Sequence, residues 1–433
     1  MDSAKGESHS EERQSKVNVK EILHEVSFVS LAFVDIFGGG RSVIIPVERF
    51  QQVIAAGEPF DGSALESRTR SIEENMVLKP DMSTMIKLSD RLARVVCSVR
   101  GSDGLPFLGD PRTALMTVLK GVGDLASRYR AGAELEFYLL DSAGFPVDSG
   151  EYYSDYSPVS FESVHEAVRR LISYGVPVVS SHHEASDGQY EIDIDYLDPL
   201  ALADALILSR QIVKEEASRL GLKATFMPRP FGHLAGSGLH LHQQVEGFKV
   251  LDNGMLDHQA LSFLGGQLAH AKGLSLLAAP TVNSYKRLHQ GPEAPSTISW
   301  AHINRAALLR VTGDQDSAPS FEYRGADPLA NPYLIIAGLL AAGADGMDKQ
   351  LEAGEPLEEE FGGFDPATAE TTRLLPLPRE LDAALDSFLD DDFLVDTFHQ
   401  ELIIRLVAGL RAQAEEYRSH ISRWELERFM DQI

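Results

Sequence analysis

The chain has 433 residues, with 39 Lys and Arg against 65 Asp and Glu, a formal net charge of −26. That length accommodates two or three domains, and 43% apolar residues suffice for a real core. The acidic balance disfavours a nucleic-acid or anionic-membrane partner, which needs clustered Lys and Arg. A single cysteine, Cys97, excludes an intrachain disulfide and any cysteine-based zinc or iron–sulfur centre.

Residues 1–16 are almost devoid of aliphatic side chains and predict a disordered tail. No apolar stretch follows that would serve as a secretory signal, and the uncharged run from Pro328 to Ala344 is short for a bilayer and broken by prolines. The expectation is a cytoplasmic protein. Phe28–Asp35 and Ser42–Pro46 are β-rich and flank Gly38-Gly39-Gly40, which reads as a hairpin turn because a strand, not a helix, follows the glycines. A small β-rich domain is expected over 17–110, ending at Gly-Asp-Pro-Arg, and a second domain over 111–433. In the latter, 112–130, 161–174 and 200–220 read as helices and 134–140, 190–196, 238–245 and 320–324 as strands. The last 50 residues read as helical, and the acid runs Glu358-Glu359-Glu360 and Asp390-Asp391-Asp392 as solvated faces or loops.

The chemistry lies in those strands. Glu134 and Glu136 are two apart, so in a strand both carboxylates face one side. Like charges that close raise each other's pKa unless a cation lies between them. The pattern repeats at His182-His183-Glu184 with Glu191, at His240 and His242, and at Glu322 beside Arg324. Each alone is weak. Together they offer carboxylates with one or two imidazoles, a set suited to Mg²⁺ or Mn²⁺ rather than zinc. Arg287, Arg305, Arg310 and Arg324 add guanidinium forks that grip carboxylate and phosphate, and the Gly/Pro-framed Gly291–Pro295 reads as a lid. Metals plus arginine clamps describe phosphoryl transfer.

From about Val26 to the C-terminus, the motifs FDGS (Phe60–Ser63), AELEFYLLD, HHEASDGQYE, KATFMPRPFGHLAGSGLHLH, PTVNSYKRL, GPEAP and YRGADPLANPY resemble the glutamine synthetase family in type and order. The resemblance implies an α+β fold, with an N-terminal β-grasp domain and a catalytic domain built on a curved antiparallel sheet with helices. It implies a homo-oligomer, a dodecamer of two hexameric rings, in which one subunit's β-grasp domain completes its neighbour's site. The implied reaction joins glutamate to ammonia at the expense of ATP through γ-glutamyl phosphate, with two or more Mg²⁺ or Mn²⁺ ions.

Residue by residue, the resemblance assigns one metal to Glu136, Glu184 and Glu191, and another to Glu134, His240 and Glu322. It assigns glutamate to Arg287, Arg324 and the backbone of Gly236, and the transferring phosphate and ATP to Arg305 and Arg310. His242 falls on the ATP side, and Tyr196 near adenine. Glu293 would close over the intermediate, while Asp61 and Tyr153 would line the ammonium pocket. The chain departs from the family at Ala64, Glu73-Glu74-Asn75-Met76, Ala235, Gln244, Ser317 and Ser320. Fewer polar groups around a cation pocket favour a larger cation, so the alternative is a primary organic amine as acceptor. A non-catalytic assembly is less consistent with six intact ligand positions. No tyrosine occurs between Leu334 and Glu416, where Phe361 and Phe364 stand in the region that carries the adenylylated tyrosine of bacterial relatives, so that switch is expected to be absent.

Overall fold

The computed structural model describes residues 19–66, 75–251, 254–289, 293–313, 318–358 and 375–432. The expected tail, Glu73-Glu74, Gly291-Pro292, Ser317, Glu359-Glu360, Phe361 and Phe364 lie outside the described residues.

Two sheets organise the chain. The first contains β1 (Phe28–Val34), β2 (Gly40–Pro46), β3 (Glu58–Asp61), β4 (Asn75–Pro80), β5 (Ile86–Ser89) and β6 (Leu92–Gly101), in the order β2-β1-β6-β4-β3 with β5 beside β6. β1 and β2 form the expected hairpin, in register from Phe28 opposite Pro46 to Val34 opposite Gly40. Gly38 takes φ +84° in the turn, and a Cβ there would meet the Asn331 backbone at 2.9 Å, so both conformation and space demand glycine. β1 runs parallel to β6. Val29, Leu31, Phe33, Val95, Cys97 and Val99 pack beneath the sheet with Phe50 and Val53 of the helix Phe50–Ala56.

The second sheet comprises β7 (Tyr129–Leu140), β8 (Val178–His183), β9 (Gln189–Leu197), β10 (Lys223–Thr225), β11 (Leu239–Val245), β12 (Trp300–Ala301), β13 (Leu309–Thr312) and β14 (Ser320–Tyr323). Its order is β12-β13-β14-β11-β7-β9-β8, with β10 on β7. The sheet is mixed rather than wholly antiparallel, because β12 pairs parallel with β13. The long helices Pro199–Arg219 and Pro332–Lys349 carry Leu206, Ile212, Leu339 and Leu340 into its core.

One expected helix is divided. Over 112–130 the chain forms Pro111–Gly121 and Asp124–Arg128, then enters β7 at Tyr129. Gly123 at φ +59° breaks the helix. Tyr129, Ala131, Ala133, Leu135 and Phe137 are each 0–1% exposed, so the start of β7 is already an interior strand. At the junction of the two regions Asp110 caps the helix through the Arg112 and Thr113 N–H groups and accepts the Val99 N–H from β6. The helices Leu381–Leu389, Asp392–Thr397, Gln400–Ser419 and Arg423–Phe429 account for most of the C-terminal segment, as expected. Among the described residues no helix is long and apolar enough to cross a membrane.

Candidate active site

Strand register assembles the acidic cluster. β7 lies between β9 and β11, with Glu136 opposite Glu191 and Glu134 opposite His240. β14 brings Glu322 opposite His242, and Arg310 of β13 opposite Glu322. Period-two alternation points His240 and His242 to the side occupied by Glu134: His240 Nδ1 is 2.7 Å from Glu134 Oε2, and His242 Nε2 is 2.8 Å from Oε1. His240 also lies 3.6 Å from both Glu136 Oε1 and Glu322 Oε1.

Among the described residues three groups of potential ligands have donor atoms within 4.8 Å of one another: Glu134, His242 and Glu322; Glu134, Glu191 and His240; and His182, Glu184 and Glu191. The grouping differs from the two implied by resemblance. Glu136 joins none of the three, because its Oε2 accepts from the Gly238 N–H at 2.9 Å and from Gln189 Nε2 at 3.1 Å. His182 takes part through its Nε2, 3.2 Å from Glu191. The oxygen-rich set with occasional nitrogen fits a hard divalent cation. Glu322 supports that fit: its buried Oε2 lacks a hydrogen-bond partner although Arg310 Nε lies 2.6 Å away, off the line such a bond needs.

The electrostatics describe carboxylates crowded without enough positive charge. Burial, then the negative charge of Glu136, pushes Glu184 up to about 8. Burial and the charges of Glu136 and Glu134 push Glu191 up to about 12. Burial also acts to raise Glu134, but hydrogen bonds to His240 and His242 outweigh it and hold that group well below the usual range. His242 is raised, its hydrogen bond to Glu134 overcoming desolvation.

The arginines surround this cluster. Arg324 pairs with Glu322 through NH1 and donates from Nε to the Arg305 carbonyl at 2.8 Å. Arg287 is buried and donates to the Ala326 and Arg324 carbonyls at 2.9 and 3.1 Å. Gly236 lies against it, since a Cβ there would stand 2.6 Å from Arg287 Cγ. Arg305 is half exposed, 3.7 Å from Glu293 and 6.0 Å from the Tyr152 ring centroid. Tyr196 bonds Ser320 Oγ at 2.6 Å, at the β14 side of the cluster.

Asp61 is placed elsewhere. It ends β3 in the first sheet and accepts from the Ser63 N–H at 3.0 Å and the Ser63 hydroxyl at 2.8 Å.

Beside Tyr153, which the resemblance places at the ammonium pocket, sequence reading assigned no role to Tyr152 or Asp148, and both shape the site. The Tyr152 and Tyr153 rings lie in contact, centroids 4.0 Å apart and planes tilted by 43°, and both meet the His182 ring edge-on, at 5.4 and 4.8 Å. Tyr153 takes φ +64°, unusual for an aromatic residue. Their loop is fastened by the Tyr153 N–H to the His183 carbonyl at 3.0 Å, and by Asp148, which accepts from Ser160 Oγ at 2.8 Å and from the Tyr190 hydroxyl and lies 3.3 Å from His183 Nε2. Only the seated loop reveals Asp148; spacing along the chain carries no signal for it.

Comparisons with known proteins agree with this arrangement. Residues 25–101 match the glutamine synthetase β-grasp domain and residues 108–429 the glutamine synthetase catalytic domain. Glutamine synthetase of Methanococcus maripaludis is 34% identical over 432 residues, covering 94% of this chain and 97% of the relative. The enzyme of the same name from Methanocaldococcus jannaschii is 35% identical over 94% and 96%. One from Staphylococcus aureus is 33% identical over 96% and 98%. A solved structure described as a GmaS/ADP complex superposes with a TM-score of 0.85 at 28% identity, covering 96% of this chain and all of that one. With both domains matched in order and near-complete coverage of its relatives, the chain belongs to the glutamine synthetase family.

Proposed function

We propose that the protein ligates the γ-carboxylate of glutamate to ammonia, consuming ATP and forming glutamine through γ-glutamyl phosphate. The observation that carries the reading is the convergence of Glu134, Glu136, Glu191, His240 and Glu322 from β7, β9, β11 and β14, and of Glu184 from just past β8, with Arg305, Arg310 and Arg324 beside them. Family membership and relatives named glutamine synthetase support it.

In this reading Glu136, Glu184 and Glu191 would hold one divalent cation and Glu134, His240 and Glu322 another, as the family resemblance implies, and the metals would supply charge neutralisation at the phosphates. Arg287, Arg324 and the Gly236 backbone orient glutamate. A γ-carboxylate oxygen attacks the terminal phosphorus of ATP, and ADP departs while Arg305 and Arg310 balance the charge on the transferring group. His242 and Tyr196 serve the nucleotide side. Glu293, 3.7 Å from Arg305, closes over the acyl phosphate and shields it from water. Asp61 of a neighbouring subunit takes a proton from ammonium. The free amine then attacks the acyl carbon, and inorganic phosphate leaves. Asp61 stands in the first sheet, which supports a ring in which subunits share sites, here a dodecamer of two hexamers. We place the boundary between the β-grasp and catalytic domains at Asp110 and the protein in the cytoplasm.

A second acceptor class is favoured by one observation. The adjoining Tyr152 and Tyr153 rings beside His182 present an aromatic wall that suits an alkylammonium ion as well as ammonium. The test is phosphate release by the full chain with ATP, Mg²⁺ and glutamate, against ammonia, methylamine and ethanolamine, with product masses. Glutamine formed with ammonia as the best acceptor supports the reading. Failure of every acceptor to release phosphate refutes the ligase, and a preferred alkylamine replaces the substrate.

A further inference from the structure

Away from the acidic cluster, a cavity of about 530 Å³ opens between the β1–β2 hairpin and the helix Pro199–Arg219. Its charge is opposite to that of the protein as a whole. Arg41, Arg94, Arg210 and Lys214 line it, and its sole acidic lining residue is Asp35. That carboxylate is already committed: Oδ2 takes Nε and NH2 of Arg41 at 3.1 and 2.8 Å, and Oδ1 takes the Phe37 and Gly39 N–H groups at 3.0 and 2.8 Å. Arg94, Arg210 and Lys214 therefore have no free carboxylate within the cavity lining.

Among the described residues Arg94, Arg210 and Lys214 make no ion pair of their own. The side chain of Arg94 is buried, and its Nε has no hydrogen-bond partner. Arg210 spends NH2 on the Ala330 carbonyl at 2.9 Å, and its buried Nε is likewise unpartnered. Gln413 contributes a third unmatched buried atom, Oε1. Lys214 stands at the mouth, its ammonium 5.6 Å from the Phe226 ring centroid. Burial lowers Arg210 to about 10, and burial with the Arg210 charge lowers Lys214, as expected where like charges share a poorly solvated space.

Buried donors without partners are rare in folded proteins and call for a ligand or water. Guanidinium groups beside an ammonium in a cleft of this size suit a compact polyanion, because each N–H⁺···O⁻ bond is charge-assisted. We propose that this cavity is a binding site for a small, multiply charged anion, a dicarboxylate or a phosphate, separate from the catalytic centre. The two chemistries share the same recognition, oxygen anions facing Arg94, Arg210 and Lys214. Occupancy would join the β-grasp hairpin to the catalytic domain, since those cations come from β6 of one and from the helix Pro199–Arg219 of the other. The site stands independently of the ligase reading.

Titration calorimetry of the full chain in EDTA, with inorganic phosphate in one arm and succinate in the other, tests it. At least one ligand should bind, and the arm that does so distinguishes phosphate from dicarboxylate. Lys214→Met should weaken that binding at least fivefold, and Lys214→Gln should do the same. Arg310→Met, which removes a cation on the candidate ATP side, should leave the cavity's affinity intact. Absence of binding in both arms overturns the proposal, as does binding that both Lys214 variants retain.

Discussion

Replacing Glu191 by Gln offers the most direct probe of the acidic cluster, because the expected signs with and without metal are opposite. Glu191 is buried, and its carboxylate oxygens lie within 4.8 Å of those of Glu184 and Glu134. Two unit charges at that spacing repel by roughly 3.5 kcal/mol at an effective dielectric constant of about 20. His182, 3.2 Å from Glu191, offsets part of this, and proton uptake offsets more, leaving a relief of about 2 kcal/mol on substitution. The metal-free variant should therefore melt above the wild type, by roughly 2–3 °C for a chain of this size.

Added Mg²⁺ reverses the order. The wild type gains about 2.7 kcal/mol when the ion stands at a hundredfold its dissociation constant, while a variant lacking one anionic donor gains substantially less. The pH dependence has a definite sign as well. The folded-state pKa of Glu191 is raised, so its contribution is fully present below about 4.5 and is lost as pH rises toward about 12. In EDTA the wild type should lose stability between pH 5 and 8 more steeply than the variant. The assay is thermal unfolding of both proteins in EDTA and in Mg²⁺. A Glu191→Gln protein that melts below the wild type in EDTA, together with equal gains from Mg²⁺, refutes the reasoning.

Two other perturbations test parts of the frame. Asp148→Ala removes the acceptor that fastens the Tyr152–Tyr153 loop to Ser160, Tyr190 and His183. The KM for the amine should rise about tenfold, a loss of roughly 1.4 kcal/mol, with the KM for ATP unchanged; steady-state kinetics with each substrate varied would check it. His270 has Nδ1 2.7 Å from Asp391 and Nε2 3.0 Å from Asp345, with Lys349 also 2.9 Å from Asp345 and the Phe393 ring alongside. Desolvation opposes its charge, but the two carboxylates raise its pKa, so its stabilisation is complete below about 6.5 and lost as pH rises through the folded value. His270→Gln should lower the urea midpoint at pH 6 by the equivalent of about 1–2 kcal/mol and by less at pH 8; equal losses at both pH values would contradict it.

Much of the site is legible in the sequence because strands have a period of two. Glu134-x-Glu136 and His240-x-His242 must each face one side, and antiparallel register then places His240 against Glu134. The long helix Pro199–Arg219 is equally visible through its apolar spacing. The division of 112–130 is hidden because Tyr129–Ala133 is buried at every position but Arg130, without sustained alternation, so no period marks where helix gives way to strand. β12 is two residues long and cannot display any period, so the parallel β12–β13 pair is invisible until the fold is formed. Gln189, which occupies Glu136, and Asp148, which holds a loop from 35 residues before His183, act through contacts that no local pattern encodes.

The buried segment following β14 ties these regions together. Arg287, on the candidate glutamate side, donates to the carbonyls of Arg324 and Ala326. Five residues past Gly325, Arg210 of the cationic cavity donates to Ala330. Asn331 then reaches the first sheet's hairpin, donating to the Asp35 and Ile36 carbonyls at 3.3 and 3.2 Å. Between them Asp327 is wholly buried and feels both Arg287 and Arg210, while burial raises it to about 6. A stretch fixed at both ends and without room to flex cannot shift at one end alone. The position of Arg287 is therefore set in part by the hairpin and by Arg210, which gives the β-grasp sheet a physical hold on the glutamate side of its own chain, in addition to the Asp61 it would lend to a neighbour.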